Sequence, residues 1–179
     1  ESESQQRIFV CRPGPGSAEE PCARRILTTL ARQAYRGLVT PRDIDPLMTL
    51  FAEGRADGGS FAHGIEMGLS GVLVAPRFLF RAPVVPDGAR PGEVYRLSDL
   101  DLASRLSFFL WSSIPDEELL SLAEEGVLSE PRVLDGQIAR MIADPKSWAL
   151  VKNFGGQWLH LRNVADWAPD PERYRGFDE

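Results

Sequence analysis

Cysteine, histidine and long apolar runs are all scarce in this chain, and each shortage excludes a class of protein. Two cysteines and two histidines in 179 residues do not make a disulfide-dense mini-protein or a zinc site of four soft ligands. His63 and His160 stand far apart, with no other Cys or His at helical spacing, as surface or hydrogen-bonded core histidines do. Neither Cys11 nor Cys22 begins a C-x-x-C-H sequence, so no cofactor is expected to be carried by these residues. The longest apolar stretches, around Leu69 to Leu79 and Leu106 to Trp111, are broken by charge or proline well short of the roughly 20 residues that span a bilayer. Positive charge is also in deficit, with 20 Lys and Arg against 26 Asp and Glu and a formal charge of −6, which disfavours nucleic acid as a partner. No initiator Met or leader precedes Gln5, and the chain is expected to be part of a longer one.

The sequence is 43% hydrophobic, enough for one domain or two small ones packed together. Between Cys11 and Cys22 lie Pro13, Gly14, Pro15, Gly16 and Pro21, so the backbone folds back readily and a disulfide is the natural reading. It would remove roughly 3 kcal/mol of entropy from the unfolded chain, pin a strand-like N-terminal arm to the first helix, and imply an oxidising compartment, periplasmic or extracellular. The alternative is two unrelated thiols.

Helical periodicity then dominates. Ile26, Leu27, Leu30, Ala31 and Ala34 share one face, with Arg25, Arg32 and Arg36 on another, and Gly37 ends the segment. Thr40-Pro41-Arg42-Asp43 reads as a cap, a first-turn proline and an acid, opening a helix striped by Ile44, Leu47, Leu50 and Phe51. Ser60 caps a third, in which Gly64, Gly68 and Gly71 point to close helix packing. Phe78-Leu79-Phe80 is expected to plug the base of this bundle. Residues 82–95, with Pro83, Pro86, Pro91, Gly88 and Gly92, form an extended linker. A second set follows, with a helix from Ser98 to Trp111, a short one after Asp116, one after Pro131, and a long last one after Pro145 carrying Trp148, Val151, Phe154, Trp158 and Leu161. The expected fold is all-α. An N-terminal arm (1–21) leads into helical subdomains at 22–81 and 96–165, joined by the linker and followed by an irregular segment, 166–179.

Several phrases carry a family likeness. These are Ala34-Tyr35-Arg36 with Val39-Thr40, Pro76-Arg77-Phe78-Leu79-Phe80-Arg81, the run from Leu97-Ser98-Asp99 through Ser104-Arg105-Leu106 to Trp111-Ser112-Ser113-Ile114-Pro115-Asp116-Glu117-Glu118-Leu119, and Gly156-Gln157-Trp158-Leu159-His160-Leu161-Arg162. Together they resemble two adjacent modules of unknown function from large, exported, planctomycete-type proteins that often carry c-type cytochrome segments. The likeness departs at Gly37-Leu38, where a basic residue and a proline are expected. It implies an exported multidomain parent, with any haem c in other domains, and supplies no catalytic residues.

No constellation of catalytic residues stands out. Asp99, Asp101, Asp116, Glu117 and Glu118 fall in first turns, where they oppose the helix dipole favourably by about 0.3–1 kcal/mol each; glycoside hydrolysis by a carboxylate pair is the alternative use. Ser104 and Ser107 have no neighbouring histidine and no G-x-S-x-G elbow. Six acids and no base lie between Arg105 and Arg132, and Asp116, Glu117, Glu118, Glu124 and Glu125 are candidates for docking a basic partner such as a cationic electron carrier. Trp148 and Trp158 are expected in the core, whereas Trp167, with polar flanks, is the candidate interface tryptophan. The expected role is a non-catalytic scaffold or docking module of a larger exported protein associated with electron transfer. Its partners would be other domains or subunits, a cytochrome among them. The alternatives are part of a polysaccharide-active enzyme or a carbohydrate-binding module.

Overall fold

The computed structural model describes residues 2–14, 16–80, 85–86, 88–90, 92–161, 170 and 172–173. Among them every regular element is helical, so the fold is all-α, with two separate hydrophobic clusters.

The first cluster is built by α2 (Glu20–Ala34), α3 (Pro41–Arg55) and α4 (Phe61–Val74). Their starts follow from local chemistry. Asp43 accepts hydrogen bonds from the Thr40 backbone N–H and hydroxyl, both at 2.8 Å, and Ser60 accepts from the His63 N–H at 3.1 Å, so amides without helical partners are satisfied. Ile26, Leu27, Ile44, Leu47, Phe51, Ile65 and Val72 are buried between these helices. The glycine row has the expected consequence. A Cβ on Gly54 would stand 3.0 Å from the Gly64 Cα and 3.1 Å from the His63 carbonyl oxygen, and one on Gly68 only 2.7 Å from Leu27 Cδ2. Absent side chains thus bring α3 and α4 nearly backbone to backbone.

The N-terminal arm is joined to this bundle by the Cys11–Cys22 disulfide, with Cα atoms 5.9 Å apart. Part of it is helical rather than strand-like: α1 spans Glu3–Ile8, because Ser2 and Gln5 cap each other reciprocally across its first turn. Phe9 then rests on Phe61, which packs edge-on against Phe51. At the other end α5 (Pro76–Leu79) contributes only Phe78 to the core; Leu79 and Phe80 are exposed, so the expected three-residue plug is a single ring.

The second cluster gathers Ala103, Leu110, Trp111, Leu119, Ala123, Leu128 and Met141 from α6 (Asp99–Trp111), α7 (Glu117–Glu124), α8 (Pro131–Ala143) and the turn between α7 and α8. The expected long last helix is broken instead into a 3₁₀ turn at Pro145–Ser147, a π-helical segment at Leu150–Gly155 and the short α9 (Gly156–Trp158). Of this stretch Leu150 packs against the second core, whereas Trp148, Val151, Phe154 and Trp158 are exposed.

The glycines give a paired prediction. Gly54→Ala should cost about 1–3 kcal/mol, because the backbone of Gly64 and His63 stands in the way as well as the Met67 side chain at 2.8 Å. Gly136→Ala, inside α8 with nothing within 4 Å of the new Cβ, should stabilise by about 0.5–1 kcal/mol. Urea midpoints at constant slope check both.

Candidate functional site

Three arrangements of side chains stand out, and two are internal ties. In the second bundle Trp111 is buried and its indole N–H donates to the Met141 carbonyl at 2.9 Å. Arg140 and Lys146 stand over its ring at 5.5 and 4.5 Å, favourable cation–π placements. Arg140 also holds Asp116 through bonds of 2.6 and 3.1 Å, while Asp116 caps α7 by accepting from the Leu119 N–H at 3.0 Å. Burial alone would push the Asp116 carboxyl up, but the Arg140 and Leu119 bonds outweigh it and hold it below the ordinary aspartate value. Glu118 accepts from Gln137 at 2.8 Å and lies 3.4 Å from Arg140.

The second arrangement joins the two bundles. Arg32, in the last turn of α2, reaches two acids of α7: its Nη1 is 2.7 Å from Glu117, and its Nε and Nη2 are 2.9 and 2.8 Å from Glu124. Hydrogen bonding to Glu124 first, and to Glu117 second, raises the Arg32 pKa further above its already high ordinary value. The same bond lowers that of Glu117.

The third arrangement faces outward. Trp148, Phe154 and Trp158 are 67%, 52% and 70% exposed, and Ile142, Val151, Leu159, Leu161 and Phe109 are also exposed. Phe154 stacks on Trp158 with centroids 5.9 Å apart and meets Phe109 edge-on at 5.8 Å. Beside them runs an open groove of about 450 Å³ lined by Phe108, Phe109, Ser112, Asn153, Phe154, Gln157 and Trp158, across which Asn153 donates to the Ser112 hydroxyl oxygen at 2.8 Å. The expectation that Trp148 and Trp158 lie in the core is therefore corrected. Helical spacing establishes an apolar face, and in this fold that face is not covered.

Residues 22–82 match the family model described as PSD5, protein of unknown function (DUF1595), and residues 97–179 match that described as PSD4, protein of unknown function (DUF1592). The chain carries two domains of unknown function. No curated protein and no solved structure matches it. The Arg32 clamp thus links a helix of the DUF1595 region to one of the DUF1592 region, and the exposed aromatic face belongs to the latter.

Four of the candidate acids of the DUF1592 region are paired with arginines of this chain. Asp116 and Glu118 face Arg140, Glu117 and Glu124 face Arg32, and Glu125 is exposed beyond the end of α7. Trp167 lies outside the described residues. Ser107 is buried, its hydroxyl donating to the Ser104 carbonyl at 3.1 Å, and His63 lies 3.3 Å from Glu66 on the surface. Among the described residues no cluster of three or more His, Cys, Asp or Glu is placed to hold a metal ion, and no helix is long and apolar enough to cross a membrane.

Sequence reading missed the basic partners of the acids. A useful signal was present, since Glu117 and Glu124 are seven residues apart and share one face of a helix, but nothing local names Arg32 as the group they meet.

Asp116 yields a prediction with a sign. Its depressed folded-state pKa contributes stability that is present above the unfolded value and lost as pH falls through the folded one. Asp116→Asn should cost about 2 kcal/mol at neutral pH by weakening a charge-assisted pair and a cap. It should also flatten the acid limb of a stability–pH curve below about pH 4, as urea denaturation across pH would show.

Proposed function

We propose that the chain is a non-catalytic helical docking module of a larger exported protein, and that the aromatic face from Ile142 to Leu161 is where it docks. The observation that carries this is the exposure of Trp148, Phe154 and Trp158 on one contiguous stretch of the DUF1592 region. Rings of this size hold most of the energy of an interface when a partner covers them. Exposed large apolar side chains gathered in one region mark an interaction site.

Two further features support a structural rather than a catalytic role. Asp116, Glu117, Glu118 and Glu124 are tied to arginines, which engages them in contacts within the chain. The disulfide is consistent with folding in an oxidising space, periplasmic or extracellular. The partner is another domain or subunit of the same assembly. On the strength of the family resemblance, that assembly is one of electron transfer, with haem c borne elsewhere. A cationic carrier is less favoured as the direct partner, because four of the candidate acids already face arginines of this chain.

The second reading is a carbohydrate-binding module. What favours it is the groove beside Phe154 and Trp158, whose lining combines stacked rings with Ser112, Asn153 and Gln157 and, among the described residues, includes no charged side chain, a combination suited to neutral sugars. Participation in a polysaccharide-active enzyme would require its acids to come from elsewhere in the assembly.

Hydroxyl-radical footprinting separates these outcomes. In the isolated chain Trp148 and Trp158 should oxidise readily; in the intact parent protein they should be strongly protected, because rings covered by a partner are closed to radicals in the solvent. Equal oxidation in both states contradicts docking, and protection that appears only on adding soluble neutral glycan supports the second reading. Trp158→Ala should change chain stability by no more than about 1 kcal/mol, since only its stacking on Phe154 is lost.

A further inference from the structure

The clamp between the domains has the form of a latch, and this inference is independent of the docking face. The two apolar cores are separate clusters. Between them Leu100 of α6 lies against Gly37, where an added Cβ would meet Leu100 Cδ1 at 3.1 Å. Arg36 rather than Gly37 takes the left-handed conformation after α2, with φ 58°. The glycine thus leaves room for the Leu100 side chain of the second domain and is not the residue that makes the turn.

Arg32 lies along α7 and spans two of its turns. Glu117 and Glu124 are separated by seven residues, about 10 Å of helix rise on one face, and the guanidinium meets both through separate edges. The Arg32 side chain is 23% exposed and that of Glu124 16%, so this half of the clamp is shielded from solvent, whereas Glu117 is open to it. We propose that the Arg32–Glu117–Glu124 clamp is an acid-releasable latch that holds the DUF1595 and DUF1592 domains as one body.

The charges around it set its behaviour. Glu117 faces Arg32 from α2, accepts from the Ser121 hydroxyl at 3.3 Å and feels the repulsion of Asp116, whose own charge is held by Arg140. Glu124 faces the Nε and Nη2 of Arg32. Two carboxylates against one guanidinium leave the clamp with one surplus negative charge, so loss of either one still leaves one pair intact. Loss of both carboxylates opens it. Arg32 remains charged throughout, and its bond to Glu117 lowers the pKa of that carboxyl. The Glu117 arm is therefore present above the ordinary glutamate range and lost as pH falls through the lowered pKa of that carboxyl, and salt weakens this exposed arm before the shielded Glu124 arm.

The test uses the intact chain, spin-labelled through Ala52→Cys on α3 and Arg132→Cys on α8, both exposed positions. At pH 7 the distance distribution should be narrow. Arg32→Gln should broaden it at least twofold while helicity by circular dichroism is kept, and Arg32→Glu combined with Glu124→Arg should narrow it again. Glu117→Gln with Glu124→Gln, which imitates the protonated pair at neutral pH, should broaden it equally; this variant decides the question should Arg32→Gln fail to fold. An unchanged narrow distribution in a folded Arg32→Gln or double-Gln chain overturns the latch. A chain that stays helical and narrow down to pH 3 overturns its release by acid.

Discussion

One arginine holding two glutamates on a neighbouring bundle is the contact on which the arrangement of this molecule depends. Each bundle buries its own cluster of apolar residues. A guanidinium presents several N–H donors in a rigid plane, and Arg32 uses that geometry to bridge acids two turns apart. The partly shielded Glu124 side makes each bond worth more than a surface pair would be. Beside the clamp, the small Gly37 admits Leu100. Polar geometry and one close approach thus do between the domains what oily side chains do within them.

Inside the domains the same economy recurs. Arg36 donates to the carbonyls of Arg77 and Phe80 at 2.7 and 3.0 Å, satisfying carbonyls at the end of α5 that have no helical partner. Arg77 in turn stands over the Tyr35 ring, pairs with Asp43 at 2.8 Å and donates to the Leu38 carbonyl. Two of the phrases that carry the family resemblance, Ala34-Tyr35-Arg36 and Pro76 to Phe80, therefore touch each other. The Trp111 to Glu118 phrase surrounds the Arg140 hub in the same way. These residues hold helix ends in register, which suits a scaffold.

What could be read in advance was mainly local. Helix starts at Thr40, Ser60, Ser98 and Asp116 follow from side chains that cap nearby amides, and the row from Gly64 to Gly71 foretold the intimate α3–α4 contact. The cysteine pairing followed from a short, bend-rich loop. Long-range electrostatics were not legible. Arg32 and its acids lie 85 and 92 residues apart, and a run of carboxylates has the same pattern whether it faces water, an external cation or an arginine of its own chain. Nor was the fate of the last apolar stripe legible. Periodicity places Trp148 and Trp158 on one apolar face, but whether that face is covered depends on the rest of the fold, and the break of the helix at Leu150–Gly155 leaves no mark in hydrophobic spacing.

The central claim is that Arg32 and Glu124 are energetically coupled across the domain boundary. A double-mutant cycle with Arg32→Ala, Glu124→Ala and the pair, followed by urea denaturation at pH 7, measures this directly. A coupling energy of about 1–3 kcal/mol, shrinking as salt is raised, is the result expected of a clamp that ties two separately cored bundles. Additivity of the two substitutions to within about 0.5 kcal/mol would contradict it.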